Sequence, residues 1–200
     1  MVAPVAEPKD SSRCYTYMNR TSLRLTTITA IAFIAATTAS MASEAFEKTP
    51  PGEIEIKELP AGRLLESQSE RDYFDESNGL FRPLFSYIQK NDISMTTPVE
   101  AQIAPGKMYF WVAEDQKEKA KTGNANVRII DVPVRKVAAV GARGSYSRSN
   151  YEEAKAKLLK WIESNNAIQP IGEPYAVYWN GPFTPWFLKT FEVHVQIEND

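Results

Sequence analysis

The sequence predicts an α+β fold in which two pseudo-symmetric ββαββ-like repeats form one curved antiparallel sheet or distorted barrel with two main helices. Three observations carry this: a self-match at a shift of 73, a proline break at the same place in each copy, and an apolar helical stripe after each break. IEIKELPAGRLL at 54–65 lines up with VRIIDVPVRKVA at 127–138. Ile54 meets Val127, Ile56 meets Ile129, Leu59 meets Val132, Pro60 meets Pro133 and Arg63 meets Lys136. Each copy alternates as a strand does, breaks at a proline that cannot donate to a ladder, and resumes as a second extended run.

The helices follow. In the second copy Tyr151, Ala154, Leu158, Trp161 and Ile162 recur at steps of three and four, with Glu152, Lys155, Lys157 and Lys160 on the other side. Ser149 or Asn150 is the expected N-cap, ahead of Glu152 and Glu153, where acids suit the helix dipole. In the first copy Leu80, Leu84, Phe85, Tyr87 and Ile88 form a similar stripe, with Pro83 expected in the first turn, where its missing N–H costs little. Further strands are expected over 94–103, 107–113, 175–179 and 190–198. Residues 114–126 (EDQKEKAKTGNAN) read as a solvated linker between repeats at about 53–113 and 127–198. Two halves sharing a sheet leave a cleft at their junction, a preferred place for a ligand unless side chains fill it.

Residues 1–52 read as a non-globular N-terminus. Arg20 and Arg24 precede an apolar stretch over 25–39, and Ser40, Met41 and Ala42 offer a small-x-small cleavage site, the pattern of a secretory signal peptide. The apolar run is too short for a stable membrane span. The polar prefix 1–17 suits a signal peptide poorly, so translation is expected to start at Met18, with cleavage near Ala42. The expected localisation is exported, periplasmic or secreted; the alternatives are an organelle transit peptide or an uncleaved, retained segment. Cleavage would remove Lys9, Arg13, Arg20 and Arg24 against Glu7 and Asp10, leaving the mature chain more acidic and without cysteine.

Composition narrows the function classes. The chain is 43% hydrophobic and 24% charged, with a formal net charge of −2 and no basic stripe, which argues against a nucleic-acid partner. One cysteine (Cys14) and one histidine (His194) exclude the usual zinc frameworks. There is no nucleophile elbow, phosphate loop or Ser–His–Asp order, so no catalytic or metal residues are assigned and a non-enzymatic role is expected.

The last strand alternates, with Phe191, Val193, Val195 and Ile197 on one face and Glu192, His194 and Gln196 on the other. Matching Met108 to Phe191 places Tyr109 with Glu192 and Trp111 with His194. The cleft would then hold two aromatics, a carboxylate and an imidazole, a set suited to a flat, partly charged ligand. Packing or solvation explains each of these residues equally well when taken singly. Tyr178, Phe183 and Trp186, set among Gly181, Pro182 and Pro185, form either a wall of the groove or a plug at the barrel end. His194 is the only imidazole available to a heme iron, and Met95 is a second soft candidate.

Two blocks add a resemblance. DISMTTPVEAQ at 92–102, with Met95, Thr96, Pro98 and Val99 in register, and YWNGPFTPWFLKTFEVHV at 178–195 resemble blocks of the SOUL heme-binding protein family, in the right order. Phe191 replaces the asparagine that usually precedes the Glu-Val pair. The resulting strand is similar to the last strand of related effector-sensing domains of bacterial regulators, whose matching glutamate lies in the ligand groove. The resemblance implies a SOUL-type ligand-binding domain over 53–200 that takes heme or a related tetrapyrrole, held even without an axial histidine. The alternatives are a module for another amphipathic or cationic small molecule, or an uncharacterised enzyme.

Overall fold

The computed structural model describes residues 43–165, 167–181 and 183–198. The start at Met18, the signal peptide and the cleavage at Ala42 lie outside the described residues. The elements run β1 (Ile54–Leu59), β2 (Gly62–Gln68), α1 (Tyr73–Lys90), β3 (Val99–Gln102), β4 (Lys107–Val112), β5 (Arg128–Val132), β6 (Arg135–Arg143), α2 (Arg148–Glu163), β7 (Pro170–Tyr178) and β8 (Thr190–Ile197). Short 3-10 turns lie at Glu114–Lys119 and Trp186–Leu188.

All eight strands join one antiparallel sheet in the order β1-β6-β8-β7-β3-β4-β2-β5. That order reads the same when the two repeats are exchanged, so a pseudo-twofold passes between β3 and β7. The duplication is in register: Ile56 faces Ala138 while Ile129 faces Leu65, so the shift of 73 carries one ladder onto the other. The first strand of each repeat pairs with the other repeat. β1 lies beside β6 and β5 beside β2, an exchange that joins the halves.

Strand alternation sorts the sheet into two faces. Leu65, Phe110, Ala138, Val140, Ala176, Val193 and Val195 form one apolar face under Leu80, Leu84, Ile88, Tyr151, Leu158 and Ile162 of the helices. The expected packing of the Phe191-to-Ile197 face beneath the helices is observed.

Both helix starts differ from expectation. α2 is capped by Ser147, whose hydroxyl accepts from Asn150 N at 3.3 Å, rather than by Ser149 or Asn150. α1 begins at Tyr73, capped by the Asp72 carboxylate accepting from Phe74 N at 2.8 Å, with Asp75 and Glu76 in its first turn. Pro83 therefore sits in the helix interior, where it removes the bond that the carbonyl of Gly79 would accept. A good cap and a favourable first turn extend the helix past the point where its apolar stripe becomes regular. Asp72 also accepts a two-pronged bond from Arg148, the first residue of α2, at 2.8 Å for both contacts, which ties the two helix starts together.

Candidate functional site

The face away from the helices is concave. Arg135 on β6 reaches Glu100 on β3, although β8 and β7 lie between them, with Nη2 2.7 Å from Oε1 and 3.1 Å from Oε2. Only a strongly curled sheet brings such strands together. Two buried carboxylates of the resulting groove, Glu100 and Glu192, are neutralised in the same way; a third, Glu66 opposite Tyr109, pairs with Arg128 at 3.1 Å.

Glu192 on β8 is fully buried. It accepts from Lys57 Nζ on β1 at 2.7 Å, Trp179 Nε1 at 2.6 Å, the backbone N of Thr49 at 3.0 Å and His194 Nε2 at 2.7 Å. Burial opposes its ionisation, but His194 and Lys57 outweigh that cost and hold its pKa at about 2. Burial lowers the pKa of His194, against the pull of Glu192. The ring is therefore neutral at pH 7, gives its Nε2 proton to Glu192, and leaves Nδ1 as a buried acceptor with no hydrogen-bond partner among the described residues. Glu100 accepts from Trp111 Nε1 at 2.9 Å and from Arg135. Burial opposes the charge on Arg135, but Glu100 beside it outweighs that cost and raises its pKa. Carboxylate and indole change strands between the halves: glutamate on β3 with tryptophan on β4, then glutamate on β8 with tryptophan after β7.

Part of the groove is filled by the chain itself. Residues 43–51, N-terminal to the domain start expected at 53, run across it. Ala45 N donates to Thr97 O at 2.8 Å and Thr97 N to Ser43 O at 3.0 Å. The Phe46 ring lies 5.6 Å from Trp111, 5.5 Å from Trp179 and 6.0 Å from His194, with Lys57 Nζ 5.4 Å from its centre. Beyond Arg135 and Tyr175 the groove stays open as a cavity of about 370 Å³. Leu64, Ile130, Val132 and Ile171 give it apolar walls, with Tyr109 and the Glu100–Arg135 pair among its polar lining.

The structure thus gathers Trp111, Glu192 and His194 around Phe46, while Tyr109 sits apart in the open cavity. The ladders correct the repeat match by two residues. Leu64 faces Trp111 while its repeat mate Val137 faces Gln196, so Trp111 corresponds to Gln196 and Tyr109 to His194. A shift of two keeps the face, which is why the expected grouping survives in part. The remaining candidates lie elsewhere. Tyr178 is on the helix side, with its ring 4.3 Å from Tyr146 and 5.7 Å from Tyr73. Met95 packs against that same core. Phe183 and Trp186 project from the β7–β8 loop at 99% and 68% exposure, so they neither wall the groove nor plug the barrel.

Sequence reasoning missed Phe46, Lys57, Glu100, Arg135 and Tyr175, and read Trp179 only as one aromatic of the segment at 178–188. Strict alternation along β7 had the signal for two of them: Tyr175, Val177 and Trp179 share a face that excludes Tyr178. No local pattern marks Phe46, because its environment comes entirely from distant strands. Among the described residues no group of three or more His, Cys, Asp or Glu is placed to hold a metal ion. Nor is any described helix long and apolar enough to cross a membrane.

Fold and groove together define a duplicated α+β domain with a concave, partly charged binding face. The chain belongs to the SOUL heme-binding protein family, whose sequence model matches residues 41–196. No curated protein matches it. Among solved structures it is similar to EcmrR, solved in complex with DNA, at TM-score 0.59 and 15% identity, covering 74% of this chain and 58% of that one. The C-terminal domain of EcmrR alone gives the same score and identity, with 98% of that domain covered. A hydrolase from Listeria innocua aligns at TM-score 0.53 and 10% identity, covering 79% of this chain and all of that one. At such identities these likenesses show the fold alone.

Proposed function

We propose that this chain binds heme or a related tetrapyrrole in the open part of the groove, as a non-enzymatic carrier or buffer. The observation that carries the reading is the cavity itself, with apolar walls from Leu64, Ile130, Val132 and Ile171 beside the Glu100–Arg135 pair. A planar amphipathic molecule buries its faces on such walls and sets a polar edge against the charges. Family membership supports the tetrapyrrole as the particular ligand.

The donor set does not fit an axial iron ligand from His194. Its ring is wholly buried, its Nε2 is committed to Glu192, and Phe46 and Tyr175 lie against it. Met95 faces the core, not the cavity. Binding in this reading uses the macrocycle rather than a histidine–iron bond, so metal-free protoporphyrin serves as well as hemin. The cationic-ligand alternative is weakened at Glu192, because Lys57 already supplies its cation.

Titration of hemin and of protoporphyrin IX into the purified protein tests the reading. Saturable binding of both is expected, abolished by Ile130→Arg, which fills the cavity with charge, and little changed by His194→Gln. An absence of any saturable Soret change would end it. Export belongs to the same proposal, resting on the leader pattern upstream of Ser43. Mass spectrometry of the mature N-terminus checks it, and recovery of a peptide covering residues 3–9 from the exported protein would overturn the start at Met18.

A further inference from the structure

We infer that residues 43–51 are a displaceable strap, and that the space held by Phe46 is an aryl subsite which takes a planar aromatic group when the strap lifts. The inference rests on the groove being the ligand site and extends it into the part that the chain itself fills.

Phe46 is set as a bound ligand would be. Two tryptophans meet its ring at interplanar angles of 74° and 83°, His194 is tilted at 43°, and an ammonium group lies over it. The indole and ammonium donors around it are satisfied without it: Trp111 donates to Glu100, and Trp179 and Lys57 to Glu192. Withdrawing the ring therefore exposes a finished cage and leaves none of these groups unpaired. The strap is held from its two ends. Toward Ser43 it makes two backbone bonds to Thr97; toward Pro51, Thr49 N donates to Glu192 and Thr49 Oγ1 to Glu55 Oε1 (2.6 Å), Lys57 Nζ donates to Glu47 O (2.9 Å) and Thr49 Oγ1 (2.8 Å), Glu53 N donates to Pro50 O (3.1 Å), and Pro51 bridges Gly141. Lys48 rests over the outer face of the cage, 5.1 Å from the Trp179 ring. None of these contacts builds the eight-stranded sheet. Gly141 on β6 shows that the passage is fitted to the strap: a Cβ there would stand 2.3 Å from Pro50 O and 2.5 Å from Thr49 O.

A ligand that needs the cage must compete with Phe46. Its apparent affinity is reduced by the fraction of molecules with the strap closed. Removing the ring weakens closure by roughly tenfold, since even a half-buried phenylalanine gives up a large apolar contact.

The test uses N-phenyl-1-naphthylamine, a neutral fluorescent aryl probe, on the full chain. Glu44 and Thr97 are bridge partners, so Glu44→Cys with Thr97→Cys, in a Cys14→Ser background, gives a strap that locks by oxidation. The oxidised protein is expected to exclude the probe and the same protein, reduced, to admit it. Phe46→Ala is expected to bind it about tenfold more tightly than wild type and to show Trp111 and Trp179 newly open to acrylamide quenching. Equal binding by locked and reduced protein overturns the inference, as does Phe46→Ala binding no tighter. If Phe46→Ala fails to fold, the lock decides alone, because both of its states are one polypeptide. Hemin titrated into the same samples separates this inference from the proposed ligand. No hemin binding in any sample ends the tetrapyrrole reading while the naphthylamine response still decides the strap.

Discussion

At the scale of single residues, the groove is governed by two buried carboxylates, each with a cation and an indole. Breaking one costs more than its net worth, because the partner charge is left in a poorly solvated place. Glu192→Gln leaves Lys57, which keeps slight access to water, with only the longer Glu55 contact at 3.7 Å, so a loss of about 3 kcal/mol is expected, near the low end for a buried pair. In a domain of this size that lowers Tm by roughly 10 °C, readable by calorimetry. Acid acts on the same group. Its folded pKa of about 2 lies below the ordinary 4.5, so its contribution of roughly 3 kcal/mol is present above pH 4.5 and lost as pH falls toward 2. The folded pKa of His194 is also lowered, so the unfolded chain takes that proton first and stability starts to fall once pH drops below about 6.5. Urea unfolding across pH should show His194→Gln delaying the onset of acid loss to near pH 4.5; an unchanged onset would mean that the imidazole is not the group titrating. The role of Glu192 was half legible in the sequence. Its face and its pairing with His194 follow from alternation, whereas Lys57 lies 135 residues away and is joined to it only by the β1–β6–β8 order.

At the scale of elements, the helix starts carry most of the information that local reading misplaced. Asp72 caps α1 and also holds Arg148 at the start of α2. Asp72→Ala is therefore expected to cost about 2 kcal/mol, against about 1 kcal/mol for Ser147→Ala, which removes a cap alone. Chemical denaturation of the two variants checks the order. Pro83 lies inside α1, so Pro83→Ala should stabilise the protein by about 1 kcal/mol, with the gain limited by the side chain's partial burial. A loss would show that the packing of the proline ring outweighs the missing bond at Gly79. The strands were more legible than the helix starts: β4 and β8 fall within a residue or two of their expected bounds, because an alternating face leaves little freedom in register. β7 is longer than expected, since a bulge between Ile171 and Tyr175, with Gly172 at φ +75°, interrupts the alternation that would have shown its start.

At the scale of the whole molecule, each repeat gives its first strand to the other. A repeat alone has no partner for that strand and leaves the other edge of its sheet bare. Fragments 43–126 and 127–200 made separately should lack a cooperative thermal transition by circular dichroism and regain it when mixed. A cooperative transition in either fragment would mean that the exchange is not what closes the fold. Gly141→Ala acts at this scale too, because a methyl group there meets backbone rather than a movable side chain. The strap is expected to shift, at a cost of about 1–3 kcal/mol, with greater acrylamide access to the cage tryptophans.

The sequence by itself determined the duplication, the α+β class, the family and the face on which Glu192 and His194 lie. These depend on periodicity and on a fixed shift, which are properties of the chain read along its length. Only the tertiary structure decided the strand exchange, the crossing of Arg135 to Glu100, the exposure of Phe183 and Trp186, and the filling of the cage by Phe46. Each of those depends on how distant segments pair, curl and pack, and that brings together or separates residues that no local pattern relates.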